Sequence, residues 1–134
     1  MSIITKSEII SIAYITPIDE ADLKDEIIAT VINKFIVSVI NQSFYDEIVL
    51  YPENYTTFIE TYIKPCIAFY VKYFHIYQLS LDAGIIQVEF LKNLSDEVLE
   101  IATDKYNLLV NYYNLTYPPI SFSSKQLISG FLIP

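Results

Sequence analysis

The chain has 134 residues, 53% of them hydrophobic, with only two glycines, one cysteine and a formal charge of −8. That length is one domain able to bury a core, and the composition excludes a linker or a disordered segment. With eight lysines, no arginine and no basic stripe, it also argues against a nucleic-acid clamp, which would neutralise phosphates.

In chain order, Thr5-Lys-Ser-Glu8 matches a capping box and predicts a short helix to about Tyr14, which Thr16-Pro17 breaks. Asp19, Glu20, Asp22, Asp25 and Glu26 then cluster. They lack the glycine and the distal glutamate of a calcium loop, so they read as the acidic start of a helix. That second helix is predicted over Asp22–Asn41, with a stripe of Ile27, Ile28, Val31, Ile32, Phe35, Ile36, Val39 and Ile40. Ser43 is positioned to cap a short helix, Phe44–Leu50, ended by Pro52. Asn54 is positioned to cap a long one.

The long helix is Phe58–Tyr77, FIETYIKPCIAFYVKYFHIY. Ile59, Ile63, Cys66, Tyr70, Tyr73 and Tyr77 recur at helical spacing straight through Pro65, which predicts a kinked helix rather than two helices. Glu60 and Lys64 stand four apart in the favourable order. Past the proline the helix is apolar almost all round, which predicts cover partly from another molecule. After Asp82-Ala-Gly84, the alternation of Ile86, Val88 and Phe90 with Gln87 and Glu89 predicts one short strand or extended loop, pairing with a neighbouring subunit. A last helix is predicted over Asp96–Tyr113, capped by Ser95, with Val98, Leu99, Ala102, Tyr106, Leu109 and Tyr113 inward. Pro118-Pro119 stops it. The remainder, ISFSSKQLISGFLIP, reads as an extended apolar arm.

The sequence thus predicts an all-α fold of about four helices over residues 1–117, with a C-terminal arm over 118–134. Candidate interface residues are Ile85, Ile86, Val88 and Phe90 before the last helix, and Phe122, Leu127, Ile128, Phe131, Leu132 and Ile133 in the arm. No catalytic, cofactor-binding or metal-binding residue is assigned. His75 is the sole histidine and lies two and a half turns from Cys66, on the opposite side of one helix. Cys66 reads as a buried inert thiol. The twelve tyrosines fall mostly at core spacing and suit core and interface better than base stacking. The first ten residues carry Lys6 and Glu8, unlike a signal peptide. The best apolar run, Ile27–Ile40, is too short to span a membrane.

The segment YIKPCIAFYVKY (Tyr62–Tyr73) resembles the YIKPALAYYVKY-type segment of head–tail connector, or neck adaptor, proteins of tailed bacteriophages, including those of crAss-like phages. The order of elements over about residues 3–113 is similar. The resemblance implies a virion structural protein of the neck, made in the host bacterial cytoplasm. It implies a homo-oligomeric, commonly dodecameric ring seated on the portal protein, joining other neck or tail proteins. DNA would pass through its channel, with no cofactor and no membrane. The alternative reading is a small phage-encoded helical regulator or inhibitor that binds one host protein. A ring component forms large assemblies, alone or with its portal; a regulator stays monomeric or dimeric.

Overall fold

The structure is a computed structural model that describes residues 3–81 and 85–117, with the backbone alone for 85–88. All its regular elements are helical. They group into five helices: α1 (Lys6–Ala13), α2 (Asp25–Ile40), α3 (Gln42–Leu50), α4 (56–81) and α5 (Ile85–Thr116).

The capping box forms as the sequence predicts. Glu8 N–H donates to Thr5 Oγ1 at 3.1 Å, and Thr5 N–H donates to Glu8 Oε1 at 2.9 Å. In the acidic stretch, Asp19 Oδ1 accepts from Ala21 N–H and caps a single 3-10 turn, Glu20–Asp22. The second helix starts at Asp25, three residues later than the spacing predicts, and widens to π geometry over Ile32–Val37.

Asn41 separates α2 from α3, which meet at 106°. Its φ is 73° and its ψ 163°, outside the left-handed helical well and in a region that residues other than glycine seldom adopt. Its side-chain oxygen accepts from Phe44 N–H at 3.0 Å, so Asn41 caps α3 and Ser43 lies inside the helix. Sequence spacing alone favours Ser43. The positive φ is what places the Asn41 oxygen over the free amides instead.

Pro52 ends α3 and opens a 3-10 turn, Pro52–Tyr55, that leads into α4. Proline suits a first helical position because its missing N–H would be unpaired there. Asn54 is therefore interior to this turn, donating from its backbone to Tyr51 at 3.1 Å, and is not the cap. The chain stays helical through Pro65. Phe58–Ile63 is π-helical, and Lys64 N–H donates to Ile59 C=O, five residues back. Pro65 offers no N–H to the Thr61 carbonyl and its ring crowds it. A widened turn immediately upstream accommodates both defects without ending the helix.

The predicted strand is absent among the described residues: residues 85–90 are the first turns of α5. Ser95 is accordingly not a cap but an interior residue, its hydroxyl donating to Lys92 C=O at 2.9 Å. An alternation of three apolar residues is too short to dictate a strand without a partner. A helix satisfies its own backbone groups.

α4 is the centre of the molecule. α5 packs antiparallel along it, as shown by Tyr62 stacked on Tyr112 at 4.2 Å and Tyr70 edge-on to Tyr106. Phe35 of α2 stacks on Tyr70 at 3.7 Å and meets Tyr106 edge-on, which seats α2 across both. Phe58 and Phe44 join Tyr112, Tyr113 and Tyr117 in a second aromatic cluster. Ile63, Cys66, Ile67, Ala68 and Val71 are fully buried, so the cover of α4 comes from this chain as far as Ile76. Beyond Ile76 this cover ends, and Tyr77, Leu79 and Leu81 are exposed.

α1 lies parallel to α4 on the face of Lys64, Ala68, Lys72 and His75. The Lys64 ammonium, 11% exposed, meets Glu8 at 2.5 Å and Glu60 at 2.8 Å. Glu8 closes the capping box with one oxygen and holds Lys64 with the other. The Lys64 hydrogen bond is the main cause that lowers the Glu8 pKa below its ordinary 4.5. Burial pushes Lys64 down, but its hydrogen bonds to Glu60 and Glu8 outweigh this and hold its pKa above the ordinary value.

A depressed carboxylate contributes stability that is present above pH 4.5 and lost as pH falls through the lowered folded value. Chemical denaturation across pH 6 to 3 is expected to show a smaller loss of stability below pH 4.5 in Glu8→Gln than in the native chain. Lys64→Ala should lower stability by about 1–2 kcal/mol, allowing for the exposure of both glutamates. Equal pH slopes would contradict the assignment.

Candidate interaction surface

Cys66, His75 and Lys72 are each held in structural contacts. Cys66 is fully buried and burial pushes its thiol up to about 12, so no thiolate forms near neutrality. His75 Nδ1 is 2.7 Å from Tyr14 Oη, just beyond the end of α1. Burial lowers the His75 pKa against an opposing pull from Asp22. Burial, and then the Asp22 charge, raises that of Tyr14. Lys72, whose pKa burial lowers, donates to Ala13 C=O at 2.9 Å and lies 5.1 Å over the Tyr14 ring. These contacts hold the C-terminal end of α1 to α4, as Lys64 holds its N-terminal end. Among the described residues, no group of three or more His, Cys, Asp or Glu side chains could hold a metal ion.

The clefts are equally plain. One of about 300 Å³ lies between α3 and α4, lined by Ile48, Pro52, Thr56 and Ile59, with Glu60 and Lys64 already paired to each other. Another of about 300 Å³, between α2 and α4, is lined by Ile27, Thr30, Phe74 and Tyr77. Among the described residues no single helix is long and apolar enough to cross a membrane. The bent pair α2–α3 meets the length and composition test, but its Ile36, Ile40 and Ile48 are fully buried in the core.

No family model, curated protein or solved structure matches the chain.

Phe90, predicted as an interface residue, is 68% exposed, though on a helix rather than a strand. Ile85, Ile86 and Val88 lie in the first turn of α5, and their side chains are outside the described residues. The arm 118–134, with Phe122, Leu127, Ile128, Phe131, Leu132 and Ile133, also lies outside them. The sequence reading missed Ile101, Leu108 and Leu115, which are 41%, 53% and 76% exposed. With Leu94, half-buried, they recur every seven residues along one flank of α5. The signal was legible as that strict spacing, but the inward face of the same helix is also rich in leucine and tyrosine and masks it.

Thiol labelling tests the inertness of Cys66. A maleimide or disulfide reagent should leave the folded chain unmodified over hours at pH 7.5 and react stoichiometrically in denaturant. Rapid labelling of the folded chain would show that the α4 core opens locally.

Proposed function

We propose that this chain is a virion structural protein of the phage neck, which assembles as a ring on the portal and leaves a channel for DNA. The observation that carries the reading is the connector-like segment Tyr62–Tyr73, which forms the middle of the central helix. In such a protein the central helix carries the fold, and function resides in surfaces that meet neighbours. The acidic charge of −8 supports a channel wall that lets DNA pass without gripping it. The absence of arginine removes the bidentate phosphate contacts that a DNA-gripping protein uses.

In this reading the C-terminal segment docks on a neighbouring subunit or the portal. α5 ends beside the aromatic cluster of Phe44, Tyr55, Phe58 and Tyr117. The sequence of the C-terminal segment carries six large apolar side chains and a single lysine, a composition that would make a sticky patch if left exposed. Each is worth about 1.5–3 kcal/mol if fully buried, against about 1–2 kcal/mol of backbone entropy per ordered residue. The balance is close enough that docking and assembly are coupled.

Truncation after Tyr117 tests this with the portal protein of the same genome present. The helical circular dichroism should be unchanged, while portal binding or ring formation, seen by negative-stain imaging, should weaken at least about tenfold. Undiminished assembly would remove the arm from the account. No association of the full chain with the portal would favour the host-directed regulator.

A further inference from the structure

We propose that the exposed flank of α5 pairs with the same flank of a second copy of this chain, antiparallel about a two-fold axis at Ile101. The flank consists of Phe90, Leu94, Ile101, Leu108, Tyr112 and Leu115. Its members range from half-buried to 76% exposed. A run of 26 residues makes it about 38 Å long. The other flank carries Glu100, Asp104, Asn107 and Asn111, so the apolar stripe is a property of one side and not of the helix composition. A strict seven-residue repeat drifts by about 20° per repeat on a straight helix, and two such helices stay in contact by gentle left-handed coiling.

The charges on this flank identify the occupant. Glu97 and Lys105 stand within it, each four residues from Ile101 on opposite sides. An antiparallel pair centred on Ile101 places Glu97 of each copy against Lys105 of the other, both times. The same register sets Leu94 opposite Leu108, and Phe90 opposite Tyr112. A parallel pair in register sets Glu97 against Glu97 and Lys105 against Lys105, which is repulsive. A face that is its own complement under one two-fold rotation is the signature of an isologous contact. Lys105 now lies 6.0 Å over the Phe69 ring, close enough to the flank to turn toward a partner carboxylate.

Tyr62 and Phe69 of α4 are half-buried beside the stripe and widen it. Paired about Ile101, the two flanks overlap from Phe90 to Tyr112, so a strip about 33 Å by 13 Å covers on the order of 400 Å² per copy, just below the size of standard specific interfaces. The expected dimer is therefore weak, on the order of micromolar. This contact is independent of the neck reading. A ring of identical copies uses head-to-tail contacts, so a two-fold pair at this flank is a state of the free chain.

Sedimentation velocity of the full chain from about 1 to 300 μM tests the proposal. A monomer–dimer equilibrium is expected. Glu97→Lys alone and Lys105→Glu alone should each weaken it about tenfold, and the double reversal should restore it to within about threefold of native. Because misfolding cannot be rescued by a second charge change, the restored pair separates the contact from the fold. Under mild oxidation Ile101→Cys should cross-link into a disulfide dimer, while Leu115→Cys should not. A monomer at all concentrations would overturn the proposal, as would association that ignores both reversals. A ring-sized particle indifferent to the reversals would overturn it while supporting the neck reading. Dimerisation seen only after truncation at Tyr117 would assign the flank to the chain's own C-terminal segment and also overturn it.

Discussion

The fold depends on covering one helix that is apolar on nearly every side. From Tyr62 to Val71 no residue of α4 is exposed, and even Lys64 is buried there. A helix of that kind has no stable existence in water alone. Each other element answers to it. α5 covers one side with tyrosines, α2 crosses with Phe35, and α1 lies along a third face where Ala68 leaves room for close approach. Aromatic pairs, both Tyr–Phe and Tyr–Tyr, suit this role, because the rings fill wide interhelical gaps and either stack or meet edge-on.

The polar groups on α4 form one line, and that line is where α1 sits. Lys64, Lys72 and His75 are expensive to bury, yet each is matched by a group at one end of α1: Glu8 by charge, Ala13 by its carbonyl and Tyr14 by its hydroxyl. The apolar residues Ile9 and Ala13 supply the area, and the polar contacts fix the position along the helix. An eight-residue helix has weak intrinsic stability, so the capping box and these contacts decide whether it forms at all. The π turn before Pro65 keeps Lys64 and the faces beyond it in one continuous helix.

Much of this was legible in the sequence because it rests on local chemistry. The capping box at Thr5 and Glu8, the break at Pro52, the buried thiol of Cys66 and the passage of α4 through Pro65 all follow from spacing and side-chain type. What failed depended on context. Residues 85–90 alternate like a strand, but with no partner strand nearby the helix of Leu91 and beyond extends back through them. Asn41 caps α3 through a positive φ that no sequence pattern announces. The exposed stripe of Ile101, Leu108 and Leu115 was hidden because it shares its helix with the core positions Val98, Ala102 and Leu109, and periodicity identifies only the stronger face.

Among the described residues, large apolar side chains reach solvent at the far ends of α4 and α5 and along the flank of α5. In the proposed readings, both would serve as contacts with other molecules. Their use presupposes a rigid central helix that does not open when they engage. Native-state hydrogen exchange of the α4 amides tests that most directly. The account predicts that the amides of Ile67 to Val71 exchange only through global unfolding, slower than any in α1 or at the ends of α5. Faster exchange there than in α1 would contradict α4 as the element on which the rest of the structure is built.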